Sequence, residues 1–103
     1  LEDGIENEKY QSIIQSTLTS CINVFKPDIV LYDAGIDVHK NDKLGRINID
    51  DQGCLNRDIF ILNYLKNLSI PVATVIGGGY SESKIELAKR HSIIFEAAQK
   101  VHL

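Results

Sequence analysis

Two short apolar runs constrain this chain more than anything else in it. The first is Ile29, Val30, Leu31 and Tyr32, and the second is Val72, Ala73, Thr74, Val75 and Ile76. Their length and β-branched content read as buried strands, over residues 28–33 and 72–76. Between them, Leu55, Ile59, Leu62 and Lys66 trace one helical stripe, widened by Ile61 and Leu65. Asp50 can cap that helix, because its carboxylate can accept orphan N–H groups of the first turn. Asn67 and Pro71 end it. Strand, crossover helix, strand implies a right-handed parallel unit.

The flanks are helical. Tyr10, Ile13, Ile14, Leu18, Cys21, Ile22 and Phe25 recur at steps of three and four, as one face of an amphipathic helix does. Pro27 stops it. Ser83 followed by Glu86 has capping-box spacing and predicts a third helix. Its apolar side includes Ile85, Ala88, Ile94, Phe95, Ala98 and Val101. Leu1 to Asn7 reads as loop, with Asp3 and Gly4 as turn formers. Residues 34–49 read as a long polar loop with two glycines. The expected architecture is one α/β domain in the order α-β-α-β-α, with helices flanking parallel strands. Parallel sheets are normally covered on both faces and extended by neighbours. Two strands alone would leave bare edges, which are a liability. The chain also begins at Leu1 and contains no methionine, so it reads as a piece of a longer polypeptide that holds further strands.

Charge and cysteine usage narrow the function classes. A net charge of -3 supplies no general basic footprint for nucleic acid. Arg57 and Lys66 are scattered, and Lys40, Lys43 and Arg46 sit among Asp37 and Asp42; all read as solvated cations. Cys21 and Cys54 fall in helical stretches without metal-type spacing, and they read as buried, reduced thiols of a cytoplasmic protein. No run is long enough to span a membrane, and the start lacks a basic-then-apolar signal.

Loops at the carboxyl ends of parallel strands share one sheet edge, where ligand sites form. The first run opens into Asp33, Ala34, Gly35, Ile36, Asp37, Val38 and His39, and the second into Gly77, Gly78, Gly79 and Tyr80. Asp37 and His39 have Asp-x-His spacing, which can bring two metal ligands from one loop. A catalytic zinc wants three protein ligands and an open position. A solvated polar loop fits the same residues. Asp33 and Asp42 read as turn or capping residues. Three glycines before Tyr80 open backbone conformations closed to other residues and let another group approach closely. A phenol keeps its proton at neutral pH, so it can donate a hydrogen bond to a developing oxyanion. A glycine turn between strand and helix can instead cradle phosphate, or be a plain tight turn. The phosphate reading ranks second, since neither G-x-G-x-x-G nor G-x-x-x-x-G-K-[ST] is present. His91, spaced with the third helix's stripe, reads as a partly buried structural residue, and His102 as part of a frayed end.

Taken together and in this order, the two loops resemble the zinc-dependent histone deacetylase family, including its bacterial acetoin-utilisation and amidohydrolase members. Leu1, Asp3, Gly4, Glu8, Lys9 and Tyr10 resemble that family's loop leading into a late helix. Gly35, Asp37, Asp42, Leu44 and Gly45 resemble the loop with its last zinc ligand, and Gly77 to Tyr80 its terminal glycine-tyrosine motif. The resemblance covers nearly the whole chain. It implies that Asp37 binds Zn2+ and that Tyr80 hydrogen-bonds the substrate carbonyl. It places Leu44 at the rim of an acyl-lysine channel and Gly78 and Gly79 beneath the tyrosine. It assigns His39 no ligand role, because this loop's aspartate binds zinc alone. The family's tandem histidines and its Asp-x-His pair precede the region matched, so residues 1–103 correspond to the C-terminal portion of an arginase-like three-layer fold.

The resemblance therefore implies a zinc amidohydrolase that removes an acetyl or similar acyl group from acyl-lysine or another amine. The piece alone is expected to be inactive, with the rest of its parent, or another chain, against its sheet edges. The other readings are a non-catalytic interaction module from a divergent member and phosphate or nucleotide binding at Gly77–Gly79.

Overall fold

The computed structural model describes every residue from Leu1 to Leu103. The chain runs α1 (Asn7–Phe25), β1 (Val30–Asp33), α2 (Asp51–Asn67), β2 (Val72–Val75), α3 (Lys84–His91) and α4 (Ile93–His102). The strands pair in parallel, Val30 beside Val72 and Asp33 beside Val75. The strand, helix, strand unit thus forms where the apolar runs place it. Both strands are shorter than expected: Asp28, Ile29 and Ile76 lie outside the ladder.

The helix ends follow local chemistry. The Asp50 carboxylate accepts a hydrogen bond from Gly53 N at 2.8 Å, and Ser83 Oγ accepts one from Glu86 N at 3.3 Å. α1 stops at Phe25 because Lys26 turns left-handed, at φ 46°, ahead of Pro27.

The third helix departs from expectation: it is two helices broken at Ser92. The Ser92 hydroxyl donates to the Lys89 carbonyl at 2.6 Å, competing locally for the helix's own acceptors. The period restarts after the break. Ile93, Ile94 and Ala97 are buried, while Ile85 and Phe95, expected on the apolar side, are exposed.

Strand alternation decides where the core sits. Val30, Tyr32 and Val72 pack against Ile22 of α1 and Ile61 and Leu65 of α2. Tyr32 and Val72 also meet Ala34, Leu62, Ile94 and Ala97. A further cluster, Ile5, Tyr10, Ile49, Cys54 and Ile93, lies beside the long loop. The other sheet face carries Leu31 and Val75, 80% and 60% exposed.

Three expectations about side chains are corrected. Cys21 is exposed and free, because α1's inward stripe runs through Tyr10, Ile13, Ile14, Leu18 and Ile22; Cys54 is free and buried as expected. Lys66 leaves the α2 stripe, and its ammonium donates to the Val101 carbonyl at 2.7 Å. The loop over residues 34–49 is anchored rather than solvated: Ala34, Gly35, Ile36, His39, Asp42 and Ile49 are buried in it. Short bridges from Glu6 to Asn48 and from His39 to Ile49 hold it down.

Candidate functional site

The site begins where β1 ends. Asp33 Oδ1 accepts from Gly35 N at 3.1 Å, which turns the chain out of the strand. Ile36 N then donates to the Gly78 carbonyl at 2.7 Å, tying the aspartate loop to the glycine-tyrosine loop. Asp37 is exposed, and its carboxylate stands against Gly78. A Cβ on Gly78 would lie 2.6 Å from Asp37 Oδ2, so only glycine admits the carboxylate at this position. Gly79 sits against Ile36, and a Cβ there would lie 2.8 Å from its side chain. Close approach, not backbone conformation, is therefore what these glycines supply: the only positive-φ glycine in the chain is Gly4.

Further along, Asp42 joins the same two loops. Its Oδ1 accepts from Tyr80 N at 2.5 Å, and its Oδ2 accepts from Leu44 N at 3.0 Å and Gly45 N at 2.8 Å. Lys43 N donates to the Tyr80 carbonyl at 2.9 Å. Tyr80 and Leu44 are 47% and 64% exposed, so both present side chains at the surface of this junction. Asp37, Leu44, Gly78, Gly79 and Tyr80 thus gather at one sheet edge.

His39 lies apart from this cluster in its chemistry. It is buried, its Nδ1 accepts from Asn41 N at 3.1 Å, and its Nε2 pairs with Asp51 Oδ1 at 2.7 Å. Both ring nitrogens are engaged, which leaves neither free for a metal. His91 is half-buried beside Gly79. α3 starts only at Lys84, with Ser83 as its cap, so Gly77–Gly79 does not run straight into a helix N-terminus, the arrangement a phosphate cradle uses.

The main feature that sequence reasoning missed lies under the aspartate loop. Arg57 was expected in solvent, yet it is buried. Its Nη1 donates to the Gly35 carbonyl at 2.8 Å and to the Tyr10 hydroxyl at 3.3 Å, and its Nε donates to Asp58 Oδ1 at 2.9 Å. The Tyr32 hydroxyl donates to the same Asp58 oxygen. Burial pushes the Tyr32 pKa well above its ordinary value. Burial opposes charge on Arg57, but the Tyr32, Asp58 and Tyr10 oxygens more than offset it and hold the pKa above the usual guanidinium range. The adjacent pair Arg57 and Asp58, just inward of the Leu55–Ile59 stripe, was the available signal: two opposite charges on a helix face that continues into Ile61 and Leu65.

Residues 1–94 match the model of the histone deacetylase domain. The chain belongs to the histone deacetylase family. It is 36% identical over 102 residues to an uncharacterised protein of Picosynechococcus sp., an overlap of 99% of this chain and 34% of that protein. Type-1 histone deacetylase 1 of Dictyostelium discoideum is 32% identical over 81 residues, covering 79% of this chain and 16% of its own length. Histone deacetylase RPD3 of Saccharomyces cerevisiae is also 32% identical over 81 residues, covering 79% and 18%. The chain therefore spans about a third or less of the curated relatives it matches.

What the histone deacetylase cluster can do alone is limited by its donors. No group of three or more His, Cys, Asp or Glu side chains in the chain could hold a metal ion. Asp37 offers one exposed carboxylate, which suits a single oxygen ligand of a zinc centre but not a whole one. No helix is long and apolar enough to cross a membrane.

Proposed function

We propose that this chain is the C-terminal portion of a zinc-dependent deacetylase domain that removes acetyl or similar acyl groups from acyl-lysine or another acylated amine. The observation that carries the proposal is the stitching of the Asp37 loop to the Tyr80 loop through Ile36, Lys43 and Asp42. It brings an exposed carboxylate and an exposed phenol to one edge of a parallel sheet, where α/β folds place their ligands.

Asp37 supplies one carboxylate oxygen toward Zn2+, and the remaining ligands come from outside these residues. When bound, the ion acts as a Lewis acid toward the substrate amide carbonyl. The Tyr80 hydroxyl donates a hydrogen bond to the carbonyl oxygen as negative charge builds there. Leu44 lines the rim along which the acyl chain enters. Gly78 makes room for the Asp37 carboxylate, and Gly79 for the Ile36 side chain beneath the tyrosine. The resemblance assigns general acid and base work to tandem histidines outside these residues, and His39, with both nitrogens committed, takes no part in it.

The exposed Leu31 and Val75 face is the natural seat for the rest of a three-layer, arginase-like domain, because a parallel sheet is buried on both sides. The test is a deacetylase assay of the full-length protein with and without a chelator, repeated on Tyr80→Phe. We expect chelation to abolish turnover. Losing one oxyanion donor should cut kcat by about 10²–10³-fold while zinc content holds. Near-normal turnover in Tyr80→Phe would remove the oxyanion role.

A further inference from the structure

Tyr80 is held through its backbone. Its N–H and its carbonyl are both bonded to the aspartate loop, the first to Asp42 Oδ1 and the second to Lys43 N. The Asp42 carboxylate, 8% exposed, accepts three backbone N–H groups, two from its own loop and one from Tyr80. Charge-assisted bonds of this kind are shorter and about twice as strong as neutral ones. Leu44 and Gly45 fix the carboxylate relative to the loop that carries Asp37, and the other carboxylate oxygen fixes Tyr80.

We infer that Asp42 is the positioning residue for Tyr80, setting where the phenol stands relative to Asp37; this rests on the deacetylase reading above. Asp42 touches neither substrate nor metal in this role. It acts by holding the tyrosine backbone so that the hydroxyl meets the carbonyl oxygen. Misplacement of a reacting or stabilising group by about 1 Å can cost on the order of 10²-fold in rate.

The experiment uses the full-length enzyme. Asp42→Asn keeps the shape but replaces an accepting oxygen with an NH2 group that faces N–H donors. We expect kcat to fall on the order of 10- to 100-fold, with KM for an acetyl-lysine peptide and zinc stoichiometry unchanged. In a Tyr80→Phe background the same change should have no further effect, because the group it positions is gone. Multiplicative losses in the double variant overturn the inference, and so does loss of zinc in Asp42→Asn. Tyr80→Phe alone guards the underlying reading: if it keeps full turnover, that reading fails. If Tyr80→Phe is impaired while Asp42→Asn is not, only the positioning role fails. A second measurement needs no variant. In amide hydrogen exchange of the unmodified enzyme, the Tyr80 N–H should be protected to the same degree as the Ile36 N–H, and rapid exchange at Tyr80 overturns the inference.

Discussion

The two loops of the site are held by opposite means. The aspartate loop stands on α2: buried Arg57 reaches up to the Gly35 carbonyl, and Asp58, Tyr32 and Tyr10 surround the guanidinium. The glycine-tyrosine loop has no such foundation. It leans sideways on its neighbour, through Gly78 on Ile36 and through Tyr80 on Asp42 and Lys43. One anchorage is a buried ion pair beneath the loop, and the other is a lateral seam of hydrogen bonds between the loops, with the Asp42 carboxylate as one of its acceptors. Disturbing α2 should therefore damage the fold and both loops together. Disturbing the seam should damage geometry and leave the fold standing.

The largest expected effect tests the foundation. Arg57→Met leaves the fully buried Asp58 carboxylate without its cation and the Gly35 carbonyl without its donor. Breaking a buried pair in this way destabilises by about 3–5 kcal/mol. Pairing it with Asp58→Leu should restore much of the loss, because the uncompensated charge disappears. Urea unfolding of the single and double variants in the full-length protein measures both. A loss under about 1 kcal/mol for Arg57→Met, the scale of an exposed pair, would mean that α2 does not carry the loop.

The seam predicts a different signature. In Gly78→Ala the new Cβ falls 2.6 Å from Asp37 Oδ2, and the carboxylate end is what must move. A single carboxylate can swing away at little thermodynamic expense, so the melting temperature should hardly shift. Its aim as the proposed metal ligand should suffer instead. We expect zinc affinity of the full-length enzyme to fall by about 10–100-fold, the usual effect of disturbing a ligand's support. Unchanged zinc affinity with a lowered melting temperature would reverse the contrast drawn between the two loops.

The same contrast explains what could be read from the sequence. The strand, helix, strand unit was legible because period and length report burial directly. The caps at Asp50 and Ser83 were legible because a capping side chain and its target lie within one turn. Asp37 and Tyr80 were found as family motif positions, and the structure places them at one edge. The break at Ser92 was not legible, since a serine inside a helical pattern gives no phase information. Arg57 was missed because its partners Tyr10, Tyr32 and Gly35 are distant in sequence, and only folding brings them around one guanidinium. Asp42 was read as a local turn residue. Half of that holds, through Leu44 and Gly45, but its bond to Tyr80 spans the two loops and follows from the parallel pairing of β1 and β2.

The smallest effect sharpens the account of the aspartate loop at its far end, where it enters α2. Asp50 Oδ1 accepts from Gly53 N at 2.8 Å and from Asn7 Nδ2 at 2.6 Å, while Asp50 N donates to Asn7 Oδ1 at 3.1 Å. The Gly53 N–H first, and the Asn7 amide second, hold its carboxyl below the ordinary carboxylate pKa of 3.8. A folded pKa lower than the unfolded one gives stability that is complete above the unfolded value and is lost as pH falls through the folded value. Asp50→Ala should thus lose about 1 kcal/mol at neutral pH, as for an ordinary N-cap. The gap between wild type and variant should close once the pH drops below the folded pKa. Urea unfolding at pH 7 and in strong acid reads both ends of this curve. A gap that persists unchanged in acid would assign the effect to packing around Asn7 rather than to the carboxylate.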